Sequence, residues 1–254
     1  MQEEKIESII VSFNCLDLLS ITLPRNLSEL DHIIIVTKPE DKETINYCES
    51  FGIDKITVVT TDAFTYNQAI FNKGLAINVG FRFLKYFDWI LLKDTDVLLH
   101  REFKKDFSNL EKNKNCMYGS RRINLDTKKD FDDLESGIKK ESDFICYRGF
   151  CYGFEQIINY NSETFQRLLK NNKGLSNLPY PYWMKEAREI DWLFAREFDN
   201  GTMVYDPPLG KFPECHLEKH NDYATGLLRE LPWKCIHLGM PGKNHEKRET
   251  SKFE

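Results

Sequence analysis

Phe71-Asn72-Lys73-Gly74-Leu75-Ala76-Ile77-Asn78-Val79-Gly80-Phe81 is followed, eight residues on, by Trp89-Ile90-Leu91-Leu92-Lys93-Asp94-Thr95-Asp96-Val97-Leu98-Leu99. In the first segment Phe71, Leu75, Val79 and Phe83 recur every four residues, a helical spacing. The second opens as a continuous apolar run, the signature of a strand covered on both faces. That strand runs into Asp94 and Asp96, two carboxylates one residue apart. Paired carboxylates where a buried strand meets a loop suit a hard divalent cation that also holds a diphosphate. The combination points to an enzyme acting on a nucleotide sugar.

The same alternation extends to the N-terminus. Ile9-Ile10-Val11, His32-Ile33-Ile34-Ile35-Val36 and Ile56-Thr57-Val58-Val59 are short apolar or β-branched runs, each predicted as a strand. Between the second and third, Pro39 stands where a first helical turn could open. Ile45, Cys48 and Phe51 form a stripe, and Gly52 is placed to end that helix. The order β-α-β-α-β-α-β predicts an α/β fold with a mainly parallel sheet flanked by helices. In such sheets ligands bind at the carboxyl ends of the strands, where Asp94 and Asp96 lie.

Further along, residues 121–143 are polar, charged and aperiodic and read as a long surface loop or insertion. Residues 145–160 return to strand-like composition. Ile190, Leu193, Phe194 and Phe198 have helical spacing, 206–223 is rich in Pro and Gly, and 243–254 is a charged, basic tail. There is no internal repeat and no linker, so residues 1–254 read as a single domain.

The bulk properties bound the function. The chain has 254 residues, 41% of them hydrophobic, with 18 Phe and 11 Tyr, enough for a sizeable core. The net charge of −5 gives no global footprint for nucleic acid. The basic pairs Lys104-Lys105, Arg121-Arg122, Lys128-Lys129 and Lys139-Lys140 are interleaved with acids and read as solvated faces. No apolar run reaches membrane-spanning length, and the start, Met1-Gln2-Glu3-Glu4-Lys5, lacks the layout of a signal peptide. The seven cysteines are scattered with no CxxC pair. Both features predict a cytoplasmic protein in a reducing compartment. Cys146, Cys151, Cys215, His216 and His220 carry zinc-type donors, at spacings looser than those of a zinc finger. The competing reading is small buried thiols and surface histidines.

The Asp94-Thr95-Asp96 segment with its preceding helix resembles the GT-A glycosyltransferases, whose Asp-x-Asp motif holds a metal and a nucleotide sugar. Phe71-Asn72-Lys73-Gly74 through Asn78-Val79-Gly80-Phe81 is similar to the Phe-Asn-Arg-Ala…Asn-Val-Gly-Phe pattern of galactosyltransferases that build N-acetyllactosamine. It is closer still to uncharacterised bacterial and phage glycosyltransferases with Phe-Asn-Lys-Gly before the Asp-x-Asp strand. The resemblance is good over residues 8–100 and patchy beyond. It implies a Rossmann-like nucleotide-binding half (about 1–100) plus an acceptor-binding half (about 101–242).

The resemblance also implies roles. Asp94 and Asp96 would bind Mn²⁺ or Mg²⁺, with Asp94 also meeting the donor. His237, in Cys235-Ile236-His237-Leu238-Gly239, would complete the metal shell, and its imidazole favours Mn²⁺, the alternative being a histidine of the core. Lys73 would face the nucleotide, its alternative being an exposed first-turn lysine. Ser12, Phe13 and Asn14 would cradle base and ribose, with Thr37 and Asp62 in reach of the base. Lys243 and Arg248 would contact the diphosphate from a late basic loop, although the related group's Trp and one Gly are missing here. An inverting transfer needs a carboxylate to take the acceptor proton. Asp191, with Glu189 second, resembles the acidic motif at a helix start in inverting members, the alternative being a helix cap. Tyr180-Pro181-Tyr182-Trp183 offers rings that could stack on a sugar or fill the core.

The function implied is metal-dependent transfer of a hexose-type sugar from a UDP-linked donor to a hydroxyl. The acceptor would be a glycan or, as a minority reading, a hydroxylated DNA base. Two rivals remain at this point. One is a metal-dependent nucleotidyltransferase, against which Ser12-Phe13-Asn14-Cys15-Leu16-Asp17 lacks the Gly-rich basic loop. The other is a non-catalytic scaffold that binds sugar nucleotides.

Overall fold

The computed structural model describes residues 4–69, 71–147, 155–171, 194–195, 198 and 227–239. The chain begins with β1 (Ile6–Val11), α1 (Leu16–Asn26), β2 (His32–Thr37), α2 (Lys42–Glu49) and β3 (Ile56–Thr60). A short 3₁₀ helix (Ala63–Gln68) leads to α3 (Lys73–Gly80), then β4 (Trp89–Asp94) and β5 (Val97–Leu98). There follow α4 (Phe103–Asn109), β6 (Met117–Leu125), α5 (Lys128–Glu135), β7 (Cys146–Tyr147), β8 (Glu155–Asn159), α6 (Glu163–Asn171) and β9 (Leu228–Leu238).

Among the described residues these strands form one mixed sheet in the order β3-β2-β1-β4-β8-β6-β9-β5, with β7 beside β6. The first four strands are parallel. β8 runs antiparallel to β4, β6 and β9 are parallel, and β5 closes the far edge antiparallel to β9. This is the expected α/β architecture, with a parallel N-terminal half. β1, β2 and β4 are buried along their whole length because helices cover both faces.

Two cores lie on opposite faces of the sheet. Ile9, Val11, Ile34, Val36, Ile90 and Leu92 face α3 and Phe81. Ile10, Ile33, Ile35, Trp89 and Leu91 face α1 and α4. The helix after Phe71 is shorter than its spacing suggests. Asn72 caps it by accepting from Leu75 N, and it tightens into a 3₁₀ turn over Phe81–Phe83. The buried face holds Ala76, Ile77, Gly80 and Phe81, whereas Phe71, Leu75 and Val79 are half-buried and Phe83 is exposed. Gly80 brings this helix close to the sheet: a Cβ there would stand 2.6 Å from Ile9 Cγ2.

Two other expectations change. α2 opens at Lys42, not near Pro39, because Asp41 is the residue whose carboxylate caps it through Thr44 N. Gly52 ends that segment at φ 56°, as its position suggested. Residues 121–143 are not a loop: 121–125 complete β6, and α5 fills 128–135. The strand escapes notice because Arg122 and Asn124 are polar yet buried.

Candidate functional site

The site is built on the turn between β4 and β5, at the carboxyl end of the parallel strands. Asp94 is the last residue of β4 and pairs in register with Val11 of β1. The turn is fixed from several sides. Thr95 Oγ1 donates to Val11 O (2.8 Å), and Thr22 Oγ1 on α1 donates to Thr95 O (2.6 Å). Asn26 Nδ2 donates to Val97 O, while Asn26 Oδ1 accepts from Leu99 N. Lys93 Nζ donates to the carbonyls of both Asp94 and Val97, at 2.8 Å each. Thr22, Asn26 and Lys93 are buried polar groups whose hydrogen bonds to the backbone hold a tight acidic turn in one shape. Their role is not visible in the local motif. The available signal was two polar residues on the apolar face of α1.

The two carboxylates have different partners. Asp94 Oδ1 lies 2.5 Å from Lys73 Nζ at the start of α3, with both side chains nearly buried. The alternative of an exposed first-turn lysine is therefore excluded. A small cleft lined by Val11, Lys73, Ile77, Leu92 and Asp94 opens beside this pair. Asp96 Oδ2 lies 3.3 Å from His237 Nε2, again with both side chains buried. His237 is brought there by β9: it pairs with Val97, and the next residue donates from Leu238 N to Asp96 O (2.9 Å).

Burial pushes the Lys93 ammonium below its ordinary pKa, against the pull of Asp96, Asp94 and Glu155. Burial likewise pushes the Glu155 carboxyl up, against hydrogen bonds from Ser120 and Cys235 and the charge of Lys93. Lys93 and Glu155 stand opposite each other across β4 and β8.

The loop after β1 is organised by Asp41, which sequence reading missed. Its Oδ2 accepts from Asn14 N (3.0 Å) and from Thr37 Oγ1 (3.1 Å). Asn14 adopts φ 52°, a left-handed value that Asn tolerates. Ser12 is fully buried, and Thr37 points inward to Asp41. Phe13 packs on Phe64 (6.0 Å between centroids), which packs on Phe71, and Lys38 Nζ sits 4.3 Å over the Phe13 ring. Asp62 is exposed and precedes the 3₁₀ helix.

Of the predicted residues, the structure brings Lys73 to Asp94 and His237 to Asp96, and gathers Asn14 and Thr37 on Asp41. Glu189, Asp191, Lys243 and Arg248 lie outside the described residues, as do Tyr180–Trp183, Cys151, Cys215, His216 and His220. Among the described residues no three His, Cys, Asp or Glu side chains cluster as a metal cage. Asp96 with His237 still fits an ion as part of a shell. Two ligands of one octahedral cation at about 2.1 Å lie about 3 Å apart, near the observed separation. No helix among the described residues is long and apolar enough to cross a membrane.

No protein-family model and no curated protein matches the chain. Among solved structures it is similar to the galactosyltransferase LgtC, in complex with donor and acceptor sugar analogs, at 12% identity over 92% of this chain and 87% of that one (TM-score 0.46). It is similar to HddC from Yersinia pseudotuberculosis at 12% identity over 92% and 94% (TM-score 0.45). It is also similar to 4-diphosphocytidyl-2C-methyl-D-erythritol synthase from Anaerococcus prevotii at 18% identity over 66% and 78% (TM-score 0.41). At such identities and TM-scores the functional reading rests on the chain's own residues.

Proposed function

We propose that the protein is a metal-dependent glycosyltransferase that moves a sugar from a nucleotide-sugar donor, UDP-linked, to an acceptor hydroxyl. One observation carries this reading: the Asp96 carboxylate and the His237 imidazole, distant in sequence, face each other 3.3 Å apart where the parallel strands end. Asp96 and His237 would hold Mn²⁺ or Mg²⁺, with Asp94 as a further ligand that also meets the donor and the remaining positions going to donor phosphate and water. When bound, the ion supplies Lewis acidity for the charge that develops on a departing nucleoside diphosphate. Lys73, paired with Asp94 beside the cleft, adds a fixed positive charge on the donor side. Ser12, Phe13 and Asn14 line the base end, and Lys243 and Arg248 contact the diphosphate.

Asp191, or Glu189 in its place, takes the proton of the acceptor hydroxyl. The acceptor oxygen then bonds to the anomeric carbon. The bond from that carbon to the diphosphate oxygen breaks, and the nucleoside diphosphate leaves with the electron pair, inverting the centre. The acceptor is a glycan, or a hydroxylated DNA base in the minority reading.

The test is product analysis from a panel of nucleotide sugars with Mn²⁺ and candidate glycan acceptors, comparing wild type with Asp191→Ala. Release of nucleoside diphosphate with transfer of the sugar, lost in the variant, is expected. Release of pyrophosphate from a nucleoside triphosphate and a sugar phosphate would replace this reading with nucleotidyl transfer.

A further inference from the structure

Asn124 sits on β6 directly beside the acid–imidazole pair. The parallel register of β6 with β9 matches Asn124 to His237, and His237 is matched to Val97 on β5. Register partners on adjacent strands project to the same face of a pleated sheet, so the Asn124 side chain shares the face of His237, which reaches Asp96. Asn124 is 6% exposed. Both atoms of its amide, Nδ2 and Oδ1, are buried and make no hydrogen bond. A buried amide left this way costs about 1–3 kcal/mol per open group, and folded proteins seldom keep one without cause. Since both ends are open, which end is nitrogen does not matter.

The pattern of open groups narrows the ligand. A phosphate oxygen only accepts, so it would satisfy Nδ2 and leave Oδ1 bare. A metal ion would do the reverse. A hydroxyl both donates and accepts, and a pair of neighbouring hydroxyls satisfies both ends of an amide together.

We propose that Asn124 is a specificity-determining residue that hydrogen-bonds the hydroxyls of the sugar being transferred, next to the ion held by Asp96 and His237. This rests on the function proposed above and adds to it the residue that reads the sugar. It also explains why a polar residue interrupts the core of β6, where Ile123 and Leu125 on either side are fully buried in apolar surroundings.

The test measures binding by calorimetry with Mn²⁺, using UDP, UDP-glucose and UDP-galactose as probes, on the full chain and on Asn124→Val. Valine suits a strand and leaves no open polar group. The expected result has two parts. UDP affinity stays within about twofold, whereas the better of the two sugar nucleotides binds roughly tenfold or more weakly, the loss expected for hydrogen bonds in a buried site. The valine variant also melts no lower than wild type, because an unsatisfied group has been removed. Asn124→Ala, smaller and likewise without a polar side-chain group, gives the same comparison if the valine variant does not fold. Equal loss of UDP and sugar-nucleotide binding would overturn the proposal in favour of a phosphate or ribose contact. Unchanged affinities for all three would overturn it in favour of a structural amide. A wild type that binds neither UDP nor the sugar nucleotides would overturn the glycosyltransferase reading itself.

Discussion

Lys73 Nζ lies 2.5 Å from Asp94 Oδ1, and the two side chains are 7% and 8% exposed. The pair joins the first turn of α3 to the end of β4, linking the two halves of the motif that decides the fold. Removing one partner of such a pair strands a charge away from water, at a cost of about 3–5 kcal/mol. Lys73→Met should therefore lower the urea midpoint strongly, as should Asp94→Asn to a lesser degree. The double variant should recover part of the loss, since neither charge is then left alone. Equilibrium urea unfolding of the three variants measures this. Additive losses would mean that the two groups do not act as a pair.

The acidic turn is held in place by α1. Asn26 bridges it by donating to Val97 O and accepting from Leu99 N. Asn26→Ala should cost about 1–3 kcal/mol in stability. It should also weaken Mn²⁺-dependent UDP binding more than a surface substitution such as Lys128→Ala. Comparison of melting and UDP titration for both variants tests this.

Glu7 makes the fold sensitive to acid. Burial opposes its ionisation, but hydrogen bonds from His32 and from the backbone of Lys85, Tyr86 and Phe87 outweigh that effect and hold its carboxyl below the ordinary value of 4.5. A carboxyl depressed on folding stabilises the protein above its unfolded pKa, and that stabilisation is lost as the pH falls through the folded value. Unfolding free energy should therefore drop below about pH 4.5. Glu7→Gln should be less stable by about 1–3 kcal/mol at pH 7 and should flatten this part of the pH profile. Denaturant titrations between pH 7 and pH 3 give both quantities.

Much of the architecture is written in the apolar runs. Ile9–Val11, Ile33–Val36 and Trp89–Leu92 each form a strand because burial on both faces demands continuous hydrophobic residues, while the β-branched run Ile56–Val59 forms the half-buried edge strand. The candidate site can be located in the sequence where its residues fall in local patterns, as with Asp94, Asp96 and the Lys73 helix. It was not legible where the fold places polar side chains in the interior. Arg121-Arg122-Ile123-Asn124-Leu125 reads as charged surface, yet Arg122 and Asn124 are buried in β6. Asp41 orders the loop after β1 through contacts with Asn14 and Thr37, which no spacing rule reveals. Thr22 and Asn26 look like interruptions of an apolar helix face until the turn they hold is seen.

In the proposed function, Asp96 and His237 together bind the cation that holds the donor's diphosphate. Calorimetric titration of UDP into the wild-type protein, with Mn²⁺ and then with excess EDTA, tests it most directly when repeated on Asp96→Ala and His237→Ala. Binding should require Mn²⁺, vanish with EDTA and fall at least about tenfold in each variant, a contribution of about 1.4 kcal/mol or more. UDP binding that persists in EDTA, or that survives both substitutions unchanged, would rule out a donor cation held by Asp96 and His237.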